Sequence, residues 1–332
     1  MGKTTLLVHL ASVCSKDKQG RSDCALARSA TGRQTGSMKL RILSLNAGLL
    51  KLLGRSVPVP FVEERGAALP VELRKAGCDI VLLQEVYEHS TRRWLAESLQ
   101  DIYPFAIYPR KKRNFGLENG LMTFSRFPAS GDLELFRDAS LDEALFDSKG
   151  FLMAHHQIAK NVTFNTVNLH TTAGGMFRLP EHQSIDLIRS RQIKQMLNRA
   201  RNLSPPLVVA GDLNAGPGVS EKNFQQMMMA GFLSIHDLIN GPTSEATWDP
   251  NNPLNSHGPH KACPPQRIDH FFVKSAELDE NRIRAVSSTI CLKESVVPIS
   301  GKEAVTLSDH FGICVEIHLS VDPLPSAGSP TT

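Results

Sequence analysis

From Met38 onward the chain alternates short apolar runs with longer stretches in which apolar positions recur every three or four residues. The short runs are expected to be strands: Leu40–Leu45, Asp79–Gln84, Phe105–Tyr108, Gly120–Phe124, Phe151–Ile158, Val162–Asn168, Leu207–Ala210, Ile268–Val273 and Gly312–His318. Helical spacing appears over Glu63–Ala76, Thr91–Leu99, Ile185–Arg201 and Asn223–Ala230. In the third of these, Ile185, Ile188, Ile193, Met196 and Leu197 fall on roughly one face. Val162–Asn168 alternates apolar and polar residues, as a strand with one face in a core should. No repeat and no Pro/Gly-rich linker interrupts this body, so 38–319 is expected to be one domain.

Both ends depart from the pattern. Residues 1–37 are rich in Ser, Thr, Gly and Arg, with Asp17 and Asp23 the only acids. A targeting segment, a disordered tail and an extension upstream of a functional start at Met38 all fit. The charges of Lys16–Asp23 lie where a cleavage site should follow the apolar run Leu6–Cys14, which favours the last two. Residues 320–332 are rich in Pro, Ser and Thr and are expected to fray.

Composition narrows the classes. At 41% hydrophobic and 21% charged, the 332 residues have ample material for a core. No apolar stretch approaches the roughly 18–20 residues that cross a bilayer, which excludes a transmembrane helix. The formal charge of +4 lies wholly in 1–37, where six basic residues face two acids, and the remainder is formally neutral. A neutral body has no global field to gather a polyanion, which weighs against a dedicated nucleic-acid binder. The six cysteines form no C-x-x-C or His-spaced metal pattern. Reduced thiols are expected, with Cys78 and Cys314 acting as small buried hydrophobes in apolar runs, and with them a cytoplasmic setting. A monomer is also expected.

Six polar clusters share one placement. Asn46, Glu85, His170 and Gly211-Asp212-Leu213-Asn214 each follow an apolar strand; Arg267-Ile268-Asp269-His270 lies at one, and Ser308-Asp309-His310 stands just before one. Singly, each has an ordinary reading: a turn former, a helix start, a cap, a satisfied histidine. Jointly, six such clusters at strand ends suit a site held on rigid elements. The chemistry that fits is water attack on phosphorus. A phosphodiester is anionic and repels hydroxide, so a hard cation must neutralise its oxygens, and Glu85 with Asn46 supplies a minimal binding pair for Mg²⁺. A histidine takes the proton from water, with a carboxylate to fix its tautomer. Asp212 and Asn214, two apart on a tight turn, can orient the water and donate to developing charge.

In order, the segments LSLN (43–46), LLQE (82–85), NLH (168–170), GDLN (211–214), RIDH (267–270) and LSDH (307–310) closely resemble the endonuclease/exonuclease/phosphatase superfamily. That superfamily includes DNase I-like nucleases, neutral sphingomyelinases and inositol polyphosphate 5-phosphatases. The resemblance runs from about Met38 to Leu319. It implies a four-layer α/β sandwich, two mixed β-sheets packed face to face with helices outside. It implies Mg²⁺, with Mn²⁺ an alternative, held by Glu85 with Asn46 beside it. It implies His310 as general base, supported by Asp309 and by Asp269, with Asp212 and Asn214 flanking the phosphate and His170 stabilising its oxygens or the leaving group. His270 stands where the family usually has an aromatic residue, and is an extra titratable group near these clusters.

Shorter likenesses bear on the substrate. Asn119-Gly120-Leu121 with Phe124-Ser125-Arg126, and Ser148-Lys149-Gly150-Phe151, resemble segments of the sphingomyelinase branch, and Thr247-Trp248-Asp249-Pro250 resembles loops of its bacterial members. Lys149 and Asn119 are therefore expected at the substrate. A phospholipid head group is favoured over nucleic acid, with an AP-endonuclease or DNase I type nuclease next and a phosphoinositide phosphatase third. Peripheral membrane contact would fall to Trp248 and Phe115, since aromatic rings suit the interfacial layer. The basic run Arg110–Arg113 reads as a solvated loop, and His257, His260 and Cys263 make a poor zinc set.

Overall fold

Alternation along strand β1 (Ser37–Leu49) sets the layering. Leu40 and Ile42 enter one apolar cluster, while Leu43 and Leu45 enter another on the opposite face. A strand buried on both faces reads as a nearly continuous apolar run, as this one does. The computed structural model describes residues 36–52, 55–109, 119–140, 143, 148–174, 182–242, 245–256 and 261–320. The readings for 1–35, Arg110–Arg113, Phe115, His257, His260 and 321–332 lie outside the described residues.

After β1 and a short hairpin of β2 (Lys51–Leu52) and β3 (Arg55–Ser56), helix α1 (Val62–Ala76) crosses over to β4 (Ile80–Val86), which pairs with β1 in parallel. Helix α2 (His89–Ser98), β5 (Phe105–Ile107) and β6 (Met122–Ser125) follow. The next run, β7 (Ala129–Leu135), β8 (Gly150–Ala159) and β9 (Val162–His170), belongs to a second sheet. Helix α3 (Gln183–Ala200) then crosses over to β10 (Leu207–Asp212), parallel to β9. Helix α4 (Glu221–Met229), β11 (Phe232–Ser234), α5 (Ile235–Asn240), β12 (Asp269–Lys274), α6 (Ser275–Asp279), β13 (Ile283–Cys291) and β14 (Gly312–Ser320) complete the order.

The first sheet runs β13-β14-β1-β4-β6-β5 and the second β11-β12-β10-β9-β8-β7. Each is built around one parallel pair flanked by antiparallel strands. The apolar clusters give the layers. One, with Leu40, Ile42, Leu82, Phe164, Val208, Phe271 and Val315, fills the space between the sheets. Another packs Leu69, Leu73, Leu95 and Leu99 on the outer face of the first sheet, and a third packs Ile193, Met196 and Met227 on the outer face of the second. The expected four-layer α/β sandwich is the fold observed.

Polar side chains also join the sheets. Asn168 on β9 donates through Nδ2 to the carbonyls of Leu83 (2.9 Å) and Met122 (3.1 Å). Gln84 on β4 donates to Asn168 Oδ1 at 2.7 Å. His156 on β8 bridges Ser125 on β6 and Thr166 on β9. Buried hydrogen bonds of this kind have few alternative partners, so they hold the sheets in one mutual register.

All nine expected strands and all four expected helices are present, with ends shifted by a few residues. The strands not anticipated lie at or beside edges. β7 has no fully buried residue and carries Ser130, Gly131, Asp132 and Glu134, while β13 places Ser287, Ser288 and Thr289 at its centre. An edge strand needs little apolar material, so its pattern is faint. One reading is overturned: Trp248 is 8% exposed and packs with Val219 and Ile268, so it is not a surface anchor. Its backbone pairs with Gln266, which closes the loop over the start of β12.

Candidate active site

The carboxyl ends of the two parallel pairs meet at one edge of the sandwich. Asn46 stands near the end of β1, Glu85 on β4, His170 at the end of β9 and Asp212 at the end of β10. Asp212 is in register with His170 on one side and with Asp269, at the start of β12, on the other. His310 lies just before β14, whose antiparallel course brings it back to the same edge.

Asn46 Nδ2 donates to Glu85 Oε1 and to Asp212 Oδ2, both at 3.0 Å, linking the two sheets through one amide. His170 Nε2 lies 3.7 Å from Glu85 Oε1 and 3.6 Å from Asp212 Oδ2. His310 Nδ1 bonds to Asp269 Oδ2 at 2.9 Å, and its Nε2 lies 4.0 Å from Asp212 Oδ2. The expected residues Asn46, Glu85, His170, Asp212, Asp269 and His310 are thus one group. The carboxylate on the His310 ring is Asp269; Asp309 accepts instead from Ser308 Oγ at 3.1 Å. Asn214 donates through Nδ2 to the Thr171 carbonyl at 3.0 Å, so one of its amide hydrogens is already used.

The backbone is specialised where these side chains sit. Glu85 and Asn214 are left-handed, at φ 58° and 48°. A non-glycine residue there costs on the order of 1–3 kcal/mol and persists only where its surroundings fix it. Asn46 holds the Glu85 carboxylate, and Asp212 Oδ1 accepts from the Asn214 N–H at 2.8 Å. Glycine is required at Gly48, at φ +57°, where a Cβ would stand 2.4 Å from Asp309 Oδ1.

Crowded carboxylates dominate the electrostatics. Burial, reinforced by the Asp309 charge, raises the Glu85 carboxyl. Burial and the neighbouring Asp269 charge push Asp212 up to about 7. Burial opposes a charge on His310, but the Asp269 contact and the Asp309 and Asp212 charges outweigh it and hold the imidazole well above its usual value. His170 is driven the other way, by burial, the Lys149 ammonium and His310, and is neutral. Buried like charges stay ionised together only with a cation among them, and carboxylate and amide oxygens are the donors a hard divalent ion takes. Asp269 Oδ1 is also buried with no hydrogen-bond partner. The residues present therefore fit a divalent cation. Besides Glu85, the group Asp212, Asp269 and His310 brings three ligand atoms within 4.8 Å of one another.

Both residues expected at the substrate adjoin this group. Lys149, buried before β8, lies with Nζ 2.8 Å from His170 Nε2, 3.1 Å from the Thr171 carbonyl and 3.5 Å from Glu143 Oε1. His170 therefore presents its Nε2 lone pair to the lysine, which leaves the ammonium as the cationic donor on that side. Asn119 is buried, accepts from the Leu121 N–H at 3.0 Å and has an Nδ2 with no hydrogen-bond partner. Its neighbour Gly120 accepts from the Val86 N–H at 2.9 Å, and a Cβ there would stand 3.2 Å from the Glu85 backbone. His270 is not at the site. It packs with Phe224 and Phe272 and bonds through Nε2 to the Ala215 carbonyl, filling the aromatic position as a ring, with burial pressing it down to about 4.

Sequence reasoning missed three fully buried arginines. Arg65 on α1 donates to the carbonyls of Pro60, Ala47, Gly48 and Leu307, clamping the chain after Asn46 to the loop before His310. Arg92 on α2 donates to Val86 and Tyr87, just after Glu85. Arg189 on α3 donates to Thr172, just after His170. Each loop is fixed by the next helix. The signal was present: Arg65 falls on one face with Val62, Leu69 and Leu73, and Arg189 with Ile185, Ile193 and Met196. A charged residue on an apolar stripe calls for a buried acceptor.

The sequence profile of the Endonuclease/Exonuclease/phosphatase family matches residues 44–310. The chain belongs to that family. Asn46, Glu85, His170, Asp212, Asp269 and His310 all fall within that match. The chain is 26% identical to sphingomyelinase C of Listeria ivanovii over 218 residues, covering 59% of this chain and 62% of that relative's length. Sphingomyelinase C from Streptomyces griseocarneus superposes with a TM-score of 0.64 at 18% identity, covering 84% of this chain and 99% of that one. A double mutant of the beta toxin from Staphylococcus aureus, with bound magnesium ions, superposes with a TM-score of 0.64 at 17% identity over 84% and 99%. These likenesses confirm the sandwich fold.

Proposed function

We propose that this chain is an Mg²⁺-dependent, sphingomyelinase-like phosphodiesterase that hydrolyses a phospholipid head group. The observation that carries the hydrolytic reading is the convergence of Glu85, Asp212 and the Asp269–His310 pair around the Asn46 amide. The substrate reading rests on the likeness to sphingomyelinase C of Listeria ivanovii and on the formally neutral body after residue 37.

Glu85 would hold the ion, its carboxylate positioned by the Asn46 Nδ2 donor while Asn46 Oδ1 accepts from the Gly48 N–H at 3.1 Å; when bound the ion would neutralise charge on the non-bridging phosphate oxygens. The remaining steps belong to side chains. Asp269 accepts from His310 Nδ1–H, which leaves Nε2 as the basic atom facing Asp212. A water between His310 Nε2 and Asp212 Oδ2 loses its proton to the histidine while the carboxylate aims its lone pair at phosphorus. This role reserves His310 for the proton, so Glu85 is preferred as ion ligand over the group containing His310. Lys149, held by His170, Glu143 and the Thr171 carbonyl, faces charge on the phosphoryl oxygens. Asn119 Nδ2 and the second hydrogen of the Asn214 amide are further donors.

Parallel assays of the full chain on sphingomyelin micelles, abasic duplex DNA and a phosphoinositide, each with Mg²⁺ or EDTA, test this reading. Sphingomyelin turnover that EDTA abolishes supports it. Efficient cutting of DNA with sphingomyelin untouched replaces the lipid by a nucleic acid, and full turnover in EDTA removes the metal.

A further inference from the structure

The outer face of the first sheet, where β14 leaves the site, carries a thiol pair that the hydrolytic chemistry does not use. Cys314 on β14 and Cys78, just before β4, face each other with Sγ atoms 3.5 Å apart, although 236 positions separate them in sequence. Cys78 is fully buried, whereas Cys314 is partly open to solvent. Odd positions of β14 (Ile313, Val315, Ile317) turn into the core between the sheets; even positions (Cys314, Glu316, His318) turn outward and are half-covered. Arg41 on β1 shares that outer face, its Nη2 3.9 Å from Cys314 Sγ, and Lys39 pairs with Glu316 at 2.7 Å.

Sequence alone makes both thiols inert hydrophobes, and this placement makes them unequal. A thiolate, not a thiol, is the nucleophile, and a guanidinium and a hydrogen-bond donor beside sulfur favour the thiolate. Cys314 has both, the Cys78 sulfur as hydrogen-bond partner at 3.5 Å and the Arg41 guanidinium, and these bring it down to about 7. Cys78, bonded to Cys314 and desolvated, is pushed far up. Cys291, on β13 and in register with Gly312, is raised to about 12 by burial. The result is one activated, reachable sulfur with a second sulfur behind it.

We propose that Cys314 and Cys78 are a peroxide-reactive pair that closes to an intramolecular disulfide across the first sheet. The Cys314 thiolate attacks one oxygen of hydrogen peroxide; the O–O bond breaks, and the departing hydroxide takes a proton to become water, leaving Cys314 as a sulfenic acid. The Cys78 sulfur then attacks the Cys314 sulfur, the S–O bond breaks, and the departing hydroxide leaves as water with the Cys78 proton. Two thiols are oxidised and one peroxide is reduced to two waters. The sulfurs need to close by only about 1.5 Å to reach bonding distance. The bond would tie the turn entering β4 to β14, opposite Leu43 of β1, and so join the three strands that lead to Glu85, His310 and Asn46.

The test treats the full chain with hydrogen peroxide, then maps non-reduced peptides by mass spectrometry. The expected product has lost two hydrogens and contains one linked peptide joining Cys78 to Cys314, with a thermal midpoint several degrees higher, because the bond closes a long loop. Cys314→Ser should abolish the link. Cys78→Ser should stop at a sulfenic acid on Cys314 that dimedone traps. Arg41→Gln should slow Cys314 oxidation near neutral pH by about tenfold as its thiolate fraction falls. Oxidation that spares Cys314, a link from Cys314 to Cys291 in the unsubstituted chain, or an unchanged rate in Arg41→Gln overturns the proposal.

Discussion

Asn46, Glu85 and His310 rise from the first sheet, and His170 and Asp212 from the second, and the two sets are fastened by partly different means. On the first sheet the loops are tied through backbone carbonyls, by Arg65 at Ala47, Gly48 and Leu307 and by Arg92 at Val86 and Tyr87. On the second sheet Arg189 clamps the Thr172 carbonyl in the same way, and the side chains themselves are also tied: Lys149 to His170, Asn214 to Thr171, and Asp212 to the Asn214 N–H. A carbonyl clamp fixes position. A side-chain contact also bears on charge: burial first, then the Lys149 ammonium, keeps His170 neutral, while the Asp269 contact holds His310 well above its usual value against the pull of burial. The first sheet thus offers groups whose loops are held rigid, and contacts from the second sheet bias their charge.

The largest effects should come from the proposed base and the proposed ion ligand. His310→Ala should lower kcat by about 10²–10⁴-fold with little change in KM, as expected for a positioned base. Glu85→Gln should remove most activity and regain part of it in excess Mg²⁺, whereas His310→Ala should regain none. A steady-state comparison of the two across Mg²⁺ concentrations checks this. Equal rescue of both would place His310 on the ion and not on the water.

The fastening itself predicts a split between stability and turnover. Removing Arg65 strands three buried carbonyls and a half-buried one at Pro60, each buried one worth about 1–3 kcal/mol when left unpaired. Arg65→Met should therefore lower the urea midpoint by the equivalent of at least about 3 kcal/mol, or prevent folding. Lys149→Met removes a cation that one carboxylate, one carbonyl and His170 share, and should cost turnover more than stability. Measuring both quantities for both variants breaks the comparison if Lys149→Met unfolds the protein as readily as Arg65→Met.

The six polar clusters were legible in sequence because each is a chemically unusual group bordering a strong apolar run. The layers were legible for the same reason, since β1, β4 and β10 are buried on both faces. What escaped was whatever depends on a long-range partner. The choice of Asp269 over Asp309 for His310 follows from β12 lying beside β10, which no local pattern states. Likewise Cys314 differs from Cys78 because the pairing of β14 with β1 brings Cys78 and Arg41 against it while leaving it partly open. The edge strand β13 was missed because it borrows its order from β14 and needs few apolar residues of its own.

The pH dependence of turnover should report the raised His310. A base must be unprotonated, so kcat/KM should fall as pH drops through a value above the ordinary imidazole 6.5, the direction in which the nearby carboxylates move it. Asp269→Asn removes the largest of these influences and should shift the acid limb to lower pH while also lowering kcat. A pH–rate profile for both proteins checks the shift. An unmoved limb would mean that Asp269 orients the ring without setting its basicity.

The smallest expected effect lies away from the site, at the histidine that joins the sheets. Burial presses His156 down to about 3, while its ring bonds to Ser125 and Thr166. In the unfolded chain the same ring titrates near 6.5, so between 6.5 and 3 the unfolded state binds the extra proton. Stability from this group is fully present above 6.5 and is lost as pH falls through that window, by about 1.4 kcal/mol per pH unit at most. Asp212 works in the opposite sense, because a carboxyl raised to about 7 is protonated more readily in the folded state. The two contributions oppose each other in the native protein, so the bare slope does not isolate His156. The difference between proteins does: His156→Gln keeps a polar side chain between the sheets but no longer titrates. Urea midpoints at about pH 7 and pH 5 should fall less, or rise, in the variant relative to the native chain. Parallel changes in both would show that burial does not depress the His156 ring.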